Sequence, residues 1–317
     1  MAEVPTPPSC AENLVTVLPE RTADAPHFAA EYRIRAGDVD QDMRVRLDSV
    51  ARYLQDVAND NLAASTFGSS DPFWLVRRTV IDVVEPISWP GTVLLERWCS
   101  ALSTRWANMR VRMNATSEAD RLNPNPRPAG LIETESFWIN VNEAGMPARI
   151  SDGGFEYLSS MTSERRLRWK QMNSSVPPDP HTAGTADDRP HILRATDFDP
   201  LRHMNNSAYW AVIEDELIGH PDLKNNPHRA VIEYLRPVAP HSRMTVRRSR
   251  DGDRLSIWMI VDDCVSTTVT VTKTRRPTTE SEGAPNVNVA ASHMVSESAP
   301  CSAHTLGGTG RRIPGSA

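Results

Sequence analysis

Asp197-Phe198-Asp199-Pro200-Leu201-Arg202-His203-Met204-Asn205-Asn206-Ser207-Ala208-Tyr209-Trp210 sets two carboxylates, an imidazole and two carboxamides directly ahead of an apolar helical pattern. Tyr209, Val212, Ile213 and Leu217 recur at three-to-four spacing, which predicts a helix over 206–219 with these residues on one face. Gly219 stands where helices commonly stop. Polar groups this dense at the mouth of an apolar helix cost solvation when buried without partners, so the pattern points to use on a ligand.

The chain on either side of that stretch reads twice in the same order. Residues 191–196 form a strand pattern before the helix, and 229–238, 244–249, 255–261 and 265–274 follow as strands, with Asp251-Gly252 supplying hairpin chemistry. Nearer the N-terminus a strand is predicted over 28–35, then Asp38-Val39-Asp40, then a helix over 47–65 with Val50, Leu54, Val57, Ala58 and Leu62 on one face. Strand patterns follow over 75–87, 92–101, 106–115 and 131–142. In the third of these, Met109, Val111 and Met113 alternate with Arg110 and Arg112, as in a half-buried strand. Asp38-x-Asp40 matches Asp197-x-Asp199, and Tyr53-Leu54 matches Tyr209-Trp210, with a spacing that differs by three residues. The first copy lacks the His and the paired Asn.

The quoted stretch resembles the D-x-D-x-x-x-H-x-N-N-x-x-Y signature of hotdog-fold thioesterases. The longer chain resembles the acyl-ACP thioesterases, through Tyr53-Leu54-Gln55-Asp56-Val57-Ala58, Trp74-Leu75-Val76-Arg77, Trp89-Pro90, Leu95-Glu96-Arg97-Trp98-Cys99 and Ile232-Glu233-Tyr234-Leu235-Arg236. The resemblance covers about residues 28–275. It implies an α+β fold of two tandem hotdog domains, each a curved antiparallel sheet wrapped around one long helix. The boundaries expected are 28–172 for the N-terminal domain, 173–190 for a linker across the surface, and 191–275 for the C-terminal domain with the catalytic segment. The chain departs from the plant-type members in two places. Leu201 stands where their pattern has Asn, and Pro237 and Val238 stand where they carry an acidic residue and often Cys.

Composition bounds the rest. Of 317 residues, 39% are hydrophobic, and mean hydropathy is −0.45, low for a chain that is core throughout. Residues 1–27 and 277–317 hold no Phe, Tyr or Trp, so tails 1–27 and 276–317 are expected to be disordered. A net charge of −5 gives no support for nucleic-acid binding. Cys10, Cys99, Cys264 and Cys301 show no metal or redox spacing, and no run is long enough for a signal or a membrane span. The expectation is a cytoplasmic protein, monomer or homodimer, with no metal or organic cofactor.

Thioester hydrolysis needs an activated water, a donor site for the carbonyl oxygen and a hold on the acyl chain. Asp199 is the candidate general base, and His203 the group that orients the carboxylate or the water, or donates to the carbonyl. The helix start at Asn205 and Asn206 offers unpaired N–H groups and a positive dipole end; both residues read equally as helix caps. Asp197 reads as a surface or turn residue, and Glu233 as a solvent-facing strand residue. An acidic carrier protein calls for a basic surface, and Arg165, Arg166, Arg168 and Lys170 form one candidate patch, with Arg247, Arg248 and Arg250 another. The activity implied is hydrolysis of fatty acyl-ACP to free fatty acid in fatty acid biosynthesis. An acyl-CoA thioesterase and a non-catalytic acyl-thioester-binding protein are the alternatives.

Overall fold

The computed structural model describes residues 16–65, 67–180 and 185–274, with only the backbone of 185–187. The expected disordered stretches 1–15 and 276–317 lie outside the described residues. The elements run β1 (Phe28–Arg33), α1 (Leu47–Ala64), β2 (Trp74–Glu85), β3 (Gly91–Leu102), β4 (Trp106–Ser117), β5 (Ala129–Asn140) and α2 (Asp152–Ser159). They continue with β6 (Thr185–His191), α3 (Asn206–Ile218), α4 (Pro221–Lys224), β7 (His228–Tyr234), β8 (Met244–Asp251), β9 (Arg254–Val261) and β10 (Cys264–Lys273).

All ten strands join one antiparallel sheet in the order β1-β3-β4-β5-β2-β7-β10-β9-β8-β6. That order is a palindrome when β1 to β5 are equated with β6 to β10. Its centre is the β2–β7 seam, where Ile81 faces Ala230 and Val80 faces Val231. The architecture is α+β. Val50, Tyr53 and Val57 of α1 and Tyr209, Trp210, Val212 and Ile213 of α3 share one hydrophobic core with strands of both halves, such as Ile81, Leu95, Ile232 and Ile257. Removal of this apolar surface from water is the main favourable term holding sheet and helices together.

The face of the sheet away from the helices is charged, and two lengths of chain lie across it. Residues 16–27, expected to be disordered, run against the sheet instead. Arg229 Nη1 on β7 donates to Thr16 O at 2.8 Å, Arg110 on β4 donates to Pro19 O, and Arg112 pairs with Glu20 at 2.8 Å. Composition missed this because the segment is held by its backbone carbonyls and one carboxylate, not by aromatic burial. Arg110 is thereby fully buried, stacked 5.1 Å from the Trp98 ring and paired with Glu133. The alternation expected of a half-buried strand gives way there, because the outer face is covered.

The second length follows α2. Thr162 Oγ1 donates to Ser100 O on β3 at 2.8 Å, the Trp169 ring lies under Arg77 and Arg78 of β2, and Trp258 of β9 donates to Ser174 O at 2.9 Å. Arg247 on β8 donates to Pro178 O at 3.0 Å. The strap therefore crosses the sheet from β3 to β8. Its anchor is Asn173, 4% exposed, whose Nδ2 donates to Val231 O at 3.0 Å and Thr268 O at 3.1 Å. Glu233 is fully buried rather than solvent-facing. It accepts from the Met172 N–H at 2.8 Å and the Asn173 N–H at 3.3 Å. Strand alternation put it on the outer face, but the strap has replaced water there. The strand expected over 191–196 lies earlier, as β6, and Ile192 is 83% exposed. β6 is a polar edge strand with Pro190, defined by its pairing with β8 and not by its own apolar pattern.

Candidate active site

Asp199 closes a tight turn with its own side chain. Its N–H donates to His203 O at 2.9 Å, the Arg202 N–H donates to Asp199 O at 2.9 Å, and Arg202 takes φ +61°. Asp199 Oδ1 accepts from the Leu201 N–H at 2.9 Å and the His203 N–H at 3.1 Å. Oδ2 makes no hydrogen bond among the described residues. The Met204 N–H donates to Val238 O at 2.9 Å, which pins the turn to the chain leaving β7. Asp197 is 2% exposed, not on the surface: it accepts from the Arg194 N–H at 2.7 Å, and Arg194 Nη2 pairs with it at 2.8 Å. It builds the approach to the turn and is spent on Arg194. Asp199 itself is half-buried and His203 exposed, with no partner for the His203 ring among the described residues.

At the start of α3 the two asparagines divide the work. Asn205 is the cap: its Oδ1 accepts from the Ser207 N–H at 2.9 Å, from Ser207 Oγ at 2.8 Å and from Gln55 Nε2 on α1 at 3.3 Å. The Asn205 N–H donates to Asp197 O at 2.7 Å. Asn206, the first helical residue, has neither its N–H nor its side chain engaged among the described residues. The unpaired donors are therefore the Asn206 N–H and the Asn205 and Asn206 amide groups, at the positive end of the helix. Tyr209, one turn in, packs its ring edge-on against Tyr234 at 5.3 Å. Burial pushes its phenol up to about 12, and the charge of Asp199 adds to the rise.

The first half builds the same turn and then closes it. Asp40 Oδ1 accepts from the Asp42 N–H at 2.9 Å and the Arg44 N–H at 3.0 Å, and Met43 takes φ +59°. Position for position, at one constant interval, Asp40 answers to Asp199, Met43 to Arg202, Arg44 to His203, Leu47 to Asn206 and Gln55 to Glu214. The interval does not slip by three residues, as matching Tyr53-Leu54 to Tyr209-Trp210 required. Here the carboxylate is spent: Lys224 Nζ lies 2.9 Å and Arg44 Nε 3.2 Å from Asp40 Oδ2. Burial pushes the Asp40 carboxyl up, but Lys224 and Arg44 outweigh it and hold it below the usual range. Glu214 then pairs with Arg44 Nη2 at 2.8 Å and accepts the Leu47 N–H at 2.7 Å, filling the start of α1. Gln55 and Glu214 were not singled out from the sequence. The signal that would have found them is that constant interval, carried from the turn into the helix.

Of the departures from the plant-type pattern, Leu201, 72% exposed, and Pro237 face solvent, whereas Val238 is fully buried in the core. The Arg247, Arg248 and Arg250 patch is taken up within the chain, by Asp188 at 2.6 Å, Glu216 at 3.1 Å and Asp222 at 2.6 Å. Arg165, Arg166, Arg168 and Lys170 are exposed, and their side chains make no ion pair among the described residues.

Comparison with known proteins gives this geometry a family. Residues 26–156 match the acyl-ACP thioesterase N-terminal domain, and residues 183–288 match its C-terminal domain. The chain belongs to the acyl-ACP thioesterase family. It is a thioester hydrolase, and its family acts on fatty acyl-ACP. Two relatives, both uncharacterized proteins of Mycobacterium tuberculosis, are 36% identical over 249 residues, covering 78% of this chain and 92% of theirs. An acyl-ACP thioesterase from Bacteroides thetaiotaomicron superposes with a TM-score of 0.59 at 12% identity, over 78% of this chain and 97% of that one. The 12:0-ACP thioesterase from Umbellularia californica gives 0.55 at 18% identity, over 78% and 96%. These two likenesses speak to the fold. No described helix of this thioesterase is long and apolar enough to cross a membrane.

Proposed function

We propose that hydrolysis takes place at the Asp199 turn, on a fatty acyl chain carried by acyl carrier protein. The observation that carries this is the difference between the two turns: Asp40 is neutralised by Lys224 and Arg44, whereas Asp199 keeps Oδ2 free beside an α3 start with unpaired donors. Asp199 takes a proton from water as the water oxygen attacks the thioester carbonyl carbon. The carbonyl oxygen gains negative charge against the Asn206 N–H and the Asn205 amide, with the helix dipole behind them. Collapse of the tetrahedral intermediate breaks the C–S bond, and the proton passes to the leaving thiolate, releasing fatty acid and carrier. His203 stands at the mouth, free to orient the water.

The palindromic strand order, with one long helix to each half, supports reading the molecule as two tandem hotdog units. The exposed arginines at 165, 166 and 168 suit an acidic carrier protein. Unbridged Cys99 and Cys264 agree with a cytoplasmic setting.

The test is hydrolysis of palmitoyl-ACP and palmitoyl-CoA by wild type, Asp199→Asn and Asp199→Ala. Asn keeps the acceptor for the Leu201 and His203 N–H groups, so it removes the base and spares the turn. It should lower kcat about 10²- to 10⁴-fold. Wild-type rates in Asp199→Asn would remove Asp199 as the base and turn attention to His203. Faster turnover of the CoA ester would make this an acyl-CoA thioesterase, and tight binding without turnover a binding protein.

A further inference from the structure

We propose that Gln55, a residue of the first half of the chain, is a positioning residue of the hydrolytic site in the second. This rests on placing that site at Asp199. Gln55 lies in α1, half-buried, and its Nε2 donates to Asn205 Oδ1 at 3.3 Å. The Ser207 backbone N–H donates to the same oxygen at 2.9 Å, which settles which end of the Asn205 carboxamide is oxygen. A flipped carboxamide would set its NH₂ against both the Ser207 N–H and the Gln55 NH₂. Gln55 therefore holds Asn205 with its oxygen inward, leaving the Asn205 Nδ2 donors for the substrate.

The equivalent position on the other helix shows what the choice of Gln accomplishes. Glu214 reaches from α3 to the start of α1 and accepts the Leu47 N–H at 2.7 Å, occupying that donor with a carboxylate that also pairs with Arg44. No developing oxyanion could be stabilised there. Gln55 makes the reciprocal reach from α1 to the start of α3, but it is neutral and it donates. The Asn206 N–H stays unpaired and the positive end of α3 stays uncompensated. Carboxylate against carboxamide thus acts together with the Asp40–Lys224 pairing to leave the α3 start, and not the α1 start, open to the carbonyl oxygen.

The test measures kcat and KM for palmitoyl-ACP in wild type, Gln55→Met and Gln55→Glu, with circular dichroism to confirm folding. Met keeps the volume and removes the donor. It should lower kcat about 10- to 100-fold, less than the roughly 10²- to 10³-fold loss on removing an oxyanion donor outright because Asn205 itself remains, with KM within about threefold. Gln55→Glu adds a carboxylate that ionises at about pH 4–6, so its activity relative to wild type should fall as pH rises from about 4 to 6 and level off above. Wild-type kcat in Gln55→Met, or a Gln55→Glu deficit that is the same at every pH, overturns the proposal while the thioesterase reading stands. An inactive wild type overturns both, and the wild-type control tells the two apart.

Discussion

Glu214 Oε1 accepts the Leu47 backbone N–H at 2.7 Å, joining two helices across 167 residues of sequence. Its other oxygen holds Arg44 Nη2 at 2.8 Å, and both side chains are about nine-tenths buried, at 9% exposure each. One carboxylate therefore caps α1 and neutralises a buried guanidinium.

Removal of Glu214 leaves Arg44 with Asp40 shared against Lys224, and α1 with an uncapped start. Glu214→Ala should cost about 3–5 kcal/mol of unfolding free energy, the range for breaking a buried ion pair from one side. Glu214→Gln, which keeps an acceptor for the Leu47 N–H, should cost less. Urea denaturation measures both. A loss below about 1 kcal/mol for the Ala variant would mean that water replaces the carboxylate without penalty.

Asn173→Ala removes two hydrogen bonds that fasten the strap to the carbonyls of Val231 and Thr268. The expected loss is about 2–3 kcal/mol, because both acceptors are buried. Local opening should also appear, as faster proteolytic nicking within 174–180 under native conditions. Unchanged nicking together with an unchanged unfolding midpoint would show that Glu233 and Trp258 hold the strap without it.

His228 is fully buried, and burial is the main cause that pushes its imidazole down to about 4. Its Nδ1 lies 2.8 Å from Asn226 O. The unfolded chain, with its histidine near the ordinary value of about 6.5, binds the proton first as pH falls. The contribution of neutral His228 is complete above that value, declines as pH drops toward 4 and is gone below it, for a span of about 3 kcal/mol. His191 and His220 are also lowered, chiefly by burial, and act in the same direction. The measurement is therefore the difference in stability between wild type and His228→Gln from about pH 4 to 7. A difference that does not change with pH would contradict the assignment.

Much of the fold was legible because its elements carry local signals. α3 begins at Asn206 and its cap is Gly219, where the carboxamides and the glycine put them, and α1 begins at Leu47. The strands of the β9–β10 hairpin were read over 255–261 and 265–274, but its turn was not: Asp262 and Asp263 both take positive φ, which Asp tolerates but does not announce. β6, Glu233 and residues 16–27 were misread for one common reason. Each is defined by a neighbour distant in sequence, and period-two patterning says nothing about what covers a face. In the candidate site, Asp199 and the Asn205 cap stand out by residue type. Gln55 does not, since a lone glutamine inside a helix resembles any solvated position until the opposing helix is in place.

The anchors of the strap are far downstream of the strap itself. Asn173 waits 58 residues for Val231 and 95 for Thr268. A chain made from its N-terminus completes β1 to β5 and the strap while neither carbonyl exists. Only when β10 leaves the ribosome can Asn173 find both acceptors. The nascent first half must therefore spend that interval with the strap beyond Trp169 unfastened, and closure of that part of the face becomes one of the last events of biosynthesis.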